Sequence, residues 1–177
     1  MPDGRLADGM LKTARRLVPA NAKRLSQSNL RRAISTSYYA VFHALAKLCA
    51  DSLVGATKSR RPNKAWVEVY RGLDHGTSRQ ACDRAKKVAF PDELKDFADA
   101  YLQLQAARHE ADYDPMVRPN KERALFYIRL AERSIAALNS VPSTDKKAFA
   151  TWVLITSKGA ETSRRRFLEG NYPNIGN

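Results

Sequence analysis

Cysteine is scarce in this chain: Cys49 and Cys82 are the only two among 177 residues. They form neither a disulfide framework nor a C-x-x-C redox or zinc motif. No apolar run approaches the roughly 20 residues that cross a bilayer. The opening residues, Met1 to Gly9, lack the apolar stretch of a secretory signal. A cytoplasmic protein with no membrane partner is therefore expected. There is no G-x-S-x-G turn and no glycine-rich phosphate loop. The three histidines are far apart, and no cysteine or carboxylate stands at metal-ligand spacing. No metal and no cofactor is expected. Strand patterns, internal repeats and heptad runs are missing too, which leaves helices.

Acid is the other shortage. Asp and Glu number 18 against 31 Lys and Arg, a net charge of +13. The surplus is uneven. Met1 to Arg32 holds eight basic and two acidic residues, and Lys58 to Phe90 holds nine and three. Pro91 to Ser140 reverses the balance, seven to nine. Two basic segments can join into a patch that attracts polyanions; the plainer alternative is that they only aid solubility.

What is present centres on Leu30 to Leu53, a stretch without Gly or Pro and rich in Ala and Leu, which favours helix. Ser26 or Ser28 stands where a hydroxyl caps the start. At 100° per residue, Leu30, Ile34, Tyr38, Val41, Phe42, Leu45, Leu48, Cys49 and Ser52 share one face, a stripe meant for a core. Arg32, Thr36, Tyr39, His43 and Lys47 share the other. A plain surface helix carries Glu, Lys and Gln there. A tyrosine and a histidine instead mark either a packed helix interface or a polar site.

The rest of the chain reads as further helices. A first runs from about Asp8 to Val18 and stops at Pro19. A basic loop, Gly55 to Pro62, precedes a third helix with Ala65, Trp66, Val69, Tyr70 and Leu73 as its apolar side. His75-Gly76 is expected to break it, with Thr77 or Ser78 capping a fourth to about Val88. Pro91-Asp92-Glu93 suits a fifth helix start, which runs to about Tyr113. Its apolar stripe continues through Gln105, Arg108 and Asp112. An arginine inside such a stripe is costly unless paired, and Asp112, four residues on, can pair with it. Pro119 opens a sixth helix, and Ser143-Thr144-Asp145 can cap a seventh. The expected fold is all-α: an antiparallel bundle of about six to seven helices. Residues 1–140 are expected to form the bundle, and 141–177 a last helix and a mobile basic tail.

Ser37-Tyr38-Tyr39-Ala40-Val41-Phe42-His43-Ala44 resembles the YYAxFHA helix of HEPN domains. Arg108-His109-Glu110-Ala111-Asp112-Tyr113 resembles the R-x-x-A-D-Y segment of the same family, and Asp74-His75-Gly76 its Ser-His-x-Gly segment. The resemblance spans roughly Leu25 to Leu138. It implies a helical bundle that pairs into a homodimer, a role in toxin–antitoxin or defence systems, and in some members a nucleotidyltransferase partner. Ala40 and Ala44, small residues beside the polar face, would let a second helix approach.

The resemblance also implies a chemistry. Active members cleave RNA without metal, using an Arg and, several residues later, a His. The Arg would hold the scissile phosphate, and the His would move protons. This chain has Arg108, but Tyr113, Asp114 and Pro115 stand where the His belongs. His109 is adjacent to Arg108, about 100° round the helix. Three readings follow. The first is a protein that binds RNA or a nucleotide through a polar inter-helix or dimer site. Arg108 would hold phosphate there, Tyr39, Asp112, Tyr113 and His75 would contact the ligand, and His43 or His109 would move a proton if chemistry occurs. The second is an atypical metal-independent ribonuclease using His43 or His75. The third is a non-catalytic interaction module in which these groups satisfy one another.

Overall fold

A computed structural model describes residues 5–156, together with Thr162, Arg165 and Glu169. Among the described residues seven helices follow one another: α1 (Leu6–Leu17), α2 (Gln27–Val54), α3 (Asn63–Gly72), α4 (His75–Ala85), α5 (Asp92–Tyr113), α6 (Lys121–Ser140) and α7 (Ser143–Leu154). No strand occurs among the described residues. The tail expected to be mobile lies outside the described residues apart from those three.

The long helix α2 is the axis of the bundle. Ser26 caps it, its hydroxyl oxygen accepting from the Asn29 N–H at 3.2 Å. Twenty-eight residues make it about 42 Å long. It packs on α1, α3, α5, α6 and α7, so its burial is not confined to one stripe. Ala33, Ser35, Ser37, Ala40, Ala46 and Ala50 are buried along with the expected apolar face, whereas Ser52 is only half-buried. Gly55 ends it at φ 117°, a backbone that other residues adopt only with strain.

Two clusters form the core. Around the later half of α2, Tyr38, Phe42, Leu45, Phe97, Tyr101, Leu104 and Phe149 pack in one group with residues of α4, α6 and α7. Burial of each large apolar side chain contributes about 1.5–3 kcal/mol. Phe149 and Val153 place α7 firmly in this group. Around the earlier half of α2, the core is made of small residues, Ala14, Ala33, Ala107, Ala111 and Ala124, with Val18, Leu30, Ile34 and Ile128. Small side chains let α1, α2, α5 and α6 approach closely here. Polar groups on α2 and α5 are thereby brought within hydrogen-bond reach of one another.

Two boundaries differ from the sequence expectation. His75 and Gly76 do not break a helix; they open α4, because Asp74 is the cap and its Oδ1 accepts from the Thr77 N–H at 2.8 Å. Asp74-His75-Gly76 reads as a turn, but the Asp74 carboxylate serves equally well as an N-cap. Likewise, no side chain of Ser143, Thr144 or Asp145 caps α7; Pro142 occupies the cap position. The helix α3 packs chiefly on α2, with Trp66 as its one buried residue.

Candidate functional site

The polar groups of α2 form a row at four-residue spacing: Arg31, Ser35, Tyr39, His43, Lys47 and Asp51. Neighbours at i, i+4 stand one turn apart; Arg31, Ser35 and Tyr39 meet the end of α5, His43 and Asp51 meet α3, and Lys47 pairs with Asp51 within the row. Arg31 donates from Nε to the Ala111 carbonyl at 2.7 Å, from NH1 to Val117 at 2.9 Å and from NH2 to Asp114 at 2.6 Å. Carbonyls at a helix C-terminus lack partners within the helix, so one guanidinium both closes α5 and fixes the turn into α6.

That fastening sets the position of the next three groups. Ser35 Oγ donates to Asp112 Oδ2 at 3.1 Å. Arg108 Nε lies 2.8 Å from the same Asp112 oxygen, an ion pair whose angle is not that of a straight hydrogen bond. Arg108 NH2 donates to the Tyr39 hydroxyl at 2.9 Å and the Tyr113 hydroxyl at 3.3 Å. Both rings also lie close to the guanidinium carbon, 5.5 and 5.3 Å from ring centre, a cation–π arrangement. The Arg108 and Asp112 side chains are 19 % and 23 % exposed, and Tyr113 is 62 % exposed. The cluster is thus held from below by α2 and open above at the end of α5. His109 stands on the exposed side of α5 with its ring 5.0 Å from that of Tyr113.

A second network lies beneath Tyr39. The Tyr38 hydroxyl is 2.7 Å from His75 Nδ1 and 3.1 Å from the Tyr101 hydroxyl, and it accepts from Gln105 Nε2 at 3.3 Å. Gln105 Nε2 also donates to the His75 carbonyl at 3.1 Å. Tyr38 has one proton, and with Gln105 donating to it the hydroxyl is free to give that proton to His75 Nδ1. That arrangement needs the neutral imidazole. Burial holds the His75 pKa below its ordinary value, and the positive charge of Arg108 pushes the same way. The His75 ring packs 4.1 Å from Phe42 and 6.0 Å from Tyr39. Buried Tyr38 has a raised pKa, chiefly from loss of water, so it stays neutral.

The residues singled out from sequence therefore divide. Tyr39, Arg108, Asp112 and Tyr113 come together in one cluster. His109 touches its rim, and His75 lies against Tyr39. His43 does not join them: its Nδ1 is 2.8 Å from the Tyr70 hydroxyl, and the two rings stack at 5.8 Å and 15°. Burial, then the neighbouring His75, holds its pKa low. Arg31, Ser35, Tyr38, Gln105 and Tyr70 are partners that sequence reasoning did not assign to the site. The four-residue row on α2 was a usable signal for Arg31 and Ser35. Nothing local pointed to Tyr70 or Gln105, which owe their roles to helix packing.

Among the described residues, no group of three His, Cys, Asp or Glu is placed to hold a metal ion. Nor is any of their helices long and apolar enough to cross a membrane. No family model, no curated protein and no solved structure matches the chain.

Proposed function

We propose that the chain is a HEPN-type helical protein that binds RNA or a nucleotide at the Arg108 cluster. The observation that carries this reading is an exposed tyrosine ring, Tyr113, beside an arginine fixed on two hydroxyls. An oriented guanidinium recognises phosphate oxygens. An exposed ring next to it offers a face on which a base stacks, the pairing used in recognition of unpaired nucleic acid. Further charge stands near: Arg32 is exposed on the Tyr39 face of α2, and Arg79 is exposed one turn beyond His75 on α4. Nothing resembles a base-reading motif, so affinity should tolerate sequence and fall with salt.

The chemistry present favours binding over cleavage. His75 lies against Tyr39 with its Nδ1 taken up by the Tyr38 hydroxyl. His43 is engaged by Tyr70, and His109 is on the outer side of α5. A metal-independent ribonuclease needs an imidazole free to exchange protons at the phosphate that Arg108 would hold. We expect purified protein to bind a labelled single-stranded RNA without cutting it.

One observation favours a purely structural role: Arg108 is already paired with Asp112, and its NH2 donates to the Tyr39 and Tyr113 hydroxyls. The two readings separate on the pair Arg108→Ala and Arg108→Met/Asp112→Leu, measured by fluorescence anisotropy with labelled RNA and by urea unfolding. If the cluster binds RNA, the double variant regains stability but not affinity. Recovery of both would assign Arg108 to structure, and rapid RNA cleavage lost in Arg108→Ala would make the protein an enzyme.

A further inference from the structure

A cleft of about 410 Å³ opens at the other end of α2, where the starts of α1 and α7 meet the end of α6. Its floor is apolar, made by Ala44 and Leu48 of α2 and Ile135 of α6. Its rim is charged. Lys47, Lys146 and Lys147 stand on it, opposed by Asp8 and Asp51. The Asp51 carboxylate is already committed: it pairs with Lys47, receives Arg61 NH1 at 3.2 Å and accepts from Trp66 Nε1 at 2.8 Å. Two cations on one carboxylate leave that corner positive. Lys146 donates to the Asn139 carbonyl at 2.6 Å, which holds its ammonium in place without neutralising it. Lys147 is exposed.

A concave site of a few hundred Å³ with an apolar floor and a few converging charges is the usual form of a small-molecule pocket. Cations outnumber uncommitted carboxylates here, so an anionic ligand is favoured over a cationic one. We propose that this cleft binds a small organic anion. Its flat apolar body would lie on Ala44, Leu48 and Ile135, and its phosphate or carboxylate would reach Lys146 and Lys147. The site is separate from the Arg108 cluster: it involves Ala44 to Ser52 of α2, whereas that cluster uses Ser35 and Tyr39.

Isothermal calorimetry with 1-naphthyl phosphate, 2-naphthoate, 1-naphthol and inorganic phosphate tests it. At least one naphthyl anion should bind at one per chain, and which of the two binds tells phosphate from carboxylate. Neutral 1-naphthol and inorganic phosphate should each bind at least about tenfold more weakly, since each lacks half of the recognition. Lys146→Gln/Lys147→Glu should weaken the anion by about tenfold or more while leaving the helical circular dichroism unchanged. Ala44→Leu, which fills the floor, should weaken it too, and Arg108→Ala should not. Three results would overturn the proposal: no heat with either naphthyl anion, 1-naphthol binding as tightly as the anions, or affinity undiminished in both cleft variants. Loss in Arg108→Ala alone would place the ligand at the other site and equally end it.

Discussion

Two places in the molecule use the same three parts, an arginine, an aromatic ring and a carboxylate, and put them to opposite ends. At the start of α3, the Arg61 guanidinium lies 4.1 Å over the Trp66 ring, and both reach Asp51. There the Arg61 side chain is 6 % exposed and Asp51 17 %. At the end of α5, Arg108 meets Tyr39, Tyr113 and Asp112, but the side chains are more open and one ring faces solvent. The difference lies in the aromatic residue. An indole has one N–H, which Asp51 consumes, and the rest of Trp66 is buried as apolar surface. A tyrosine carries its polar atom at the tip, so Tyr113 can hold the arginine from the outside with its ring still exposed. The first assembly is a closed staple between α2 and α3; the second leaves its charge within reach of a ligand.

The largest effect should come from breaking the closed staple. Asp51→Ala strands Arg61 and the Trp66 N–H in a nearly dry site, and should cost about 3–5 kcal/mol in urea unfolding. Its Arg108 counterpart should be gentler. Arg108→Ala is expected to cost about 1–2 kcal/mol of stability, because water can reach Asp112, yet to weaken RNA binding at least about tenfold in anisotropy. It should also lower the slope of log affinity against log salt by roughly one phosphate contact. Tyr113→Ala sharpens the contrast further. Stability should change by no more than about 0.5 kcal/mol, affinity should fall by about 1–3 kcal/mol, and the salt slope should stay as it is. A destabilisation by Tyr113→Ala as large as that of Asp51→Ala would mean the second assembly is closed as well.

The smallest effect concerns pH. His43 and His75 both have pKa values held below the ordinary 6.5. The unfolded chain therefore binds these protons first, and stability rises with pH in that range. The contribution is complete above about pH 6.5 and is lost as pH falls from there toward the lower folded values. Unfolding midpoints at pH 7.5 and 5.5 should differ in that direction, and His43→Gln/His75→Gln should flatten the difference.

Much of the bundle was legible because helical periodicity and the prolines agree: Pro91 and Pro119 stand just before α5 and α6, and the apolar residues of the expected stripes are largely buried, although at the end of α5 the buried residues are Ala107 and Ala111, with Arg108 half-buried and Asp112 exposed. The Arg108–Asp112 pair was legible for the same reason, since four residues on one helix fix the geometry whatever else packs nearby. His43 was not. It shares a face of α2 with Tyr39, but where its ring goes depends on α3, and the place of α3 is set by Trp66 and Asp51, fifteen residues apart in the chain. Tyr38 read as core, and it is buried, yet its hydroxyl joins His75, Tyr101 and Gln105 in a polar centre. A stripe on a helical wheel says which way a side chain points; it does not show what its polar tip meets.

Because α3 rests chiefly on α2, it has the makings of a separate cooperative unit. Its backbone amides should exchange with solvent through an opening that leaves the other helices folded, at a free energy below that of global unfolding. Such an opening would break the Tyr70–His43 bond and lift Trp66 from Asp51 in one event. The amides of Val67 to Gly72 should then exchange together, ahead of those in the middle of α2, and Asp51→Ala should speed the α3 amides far more than those of α5.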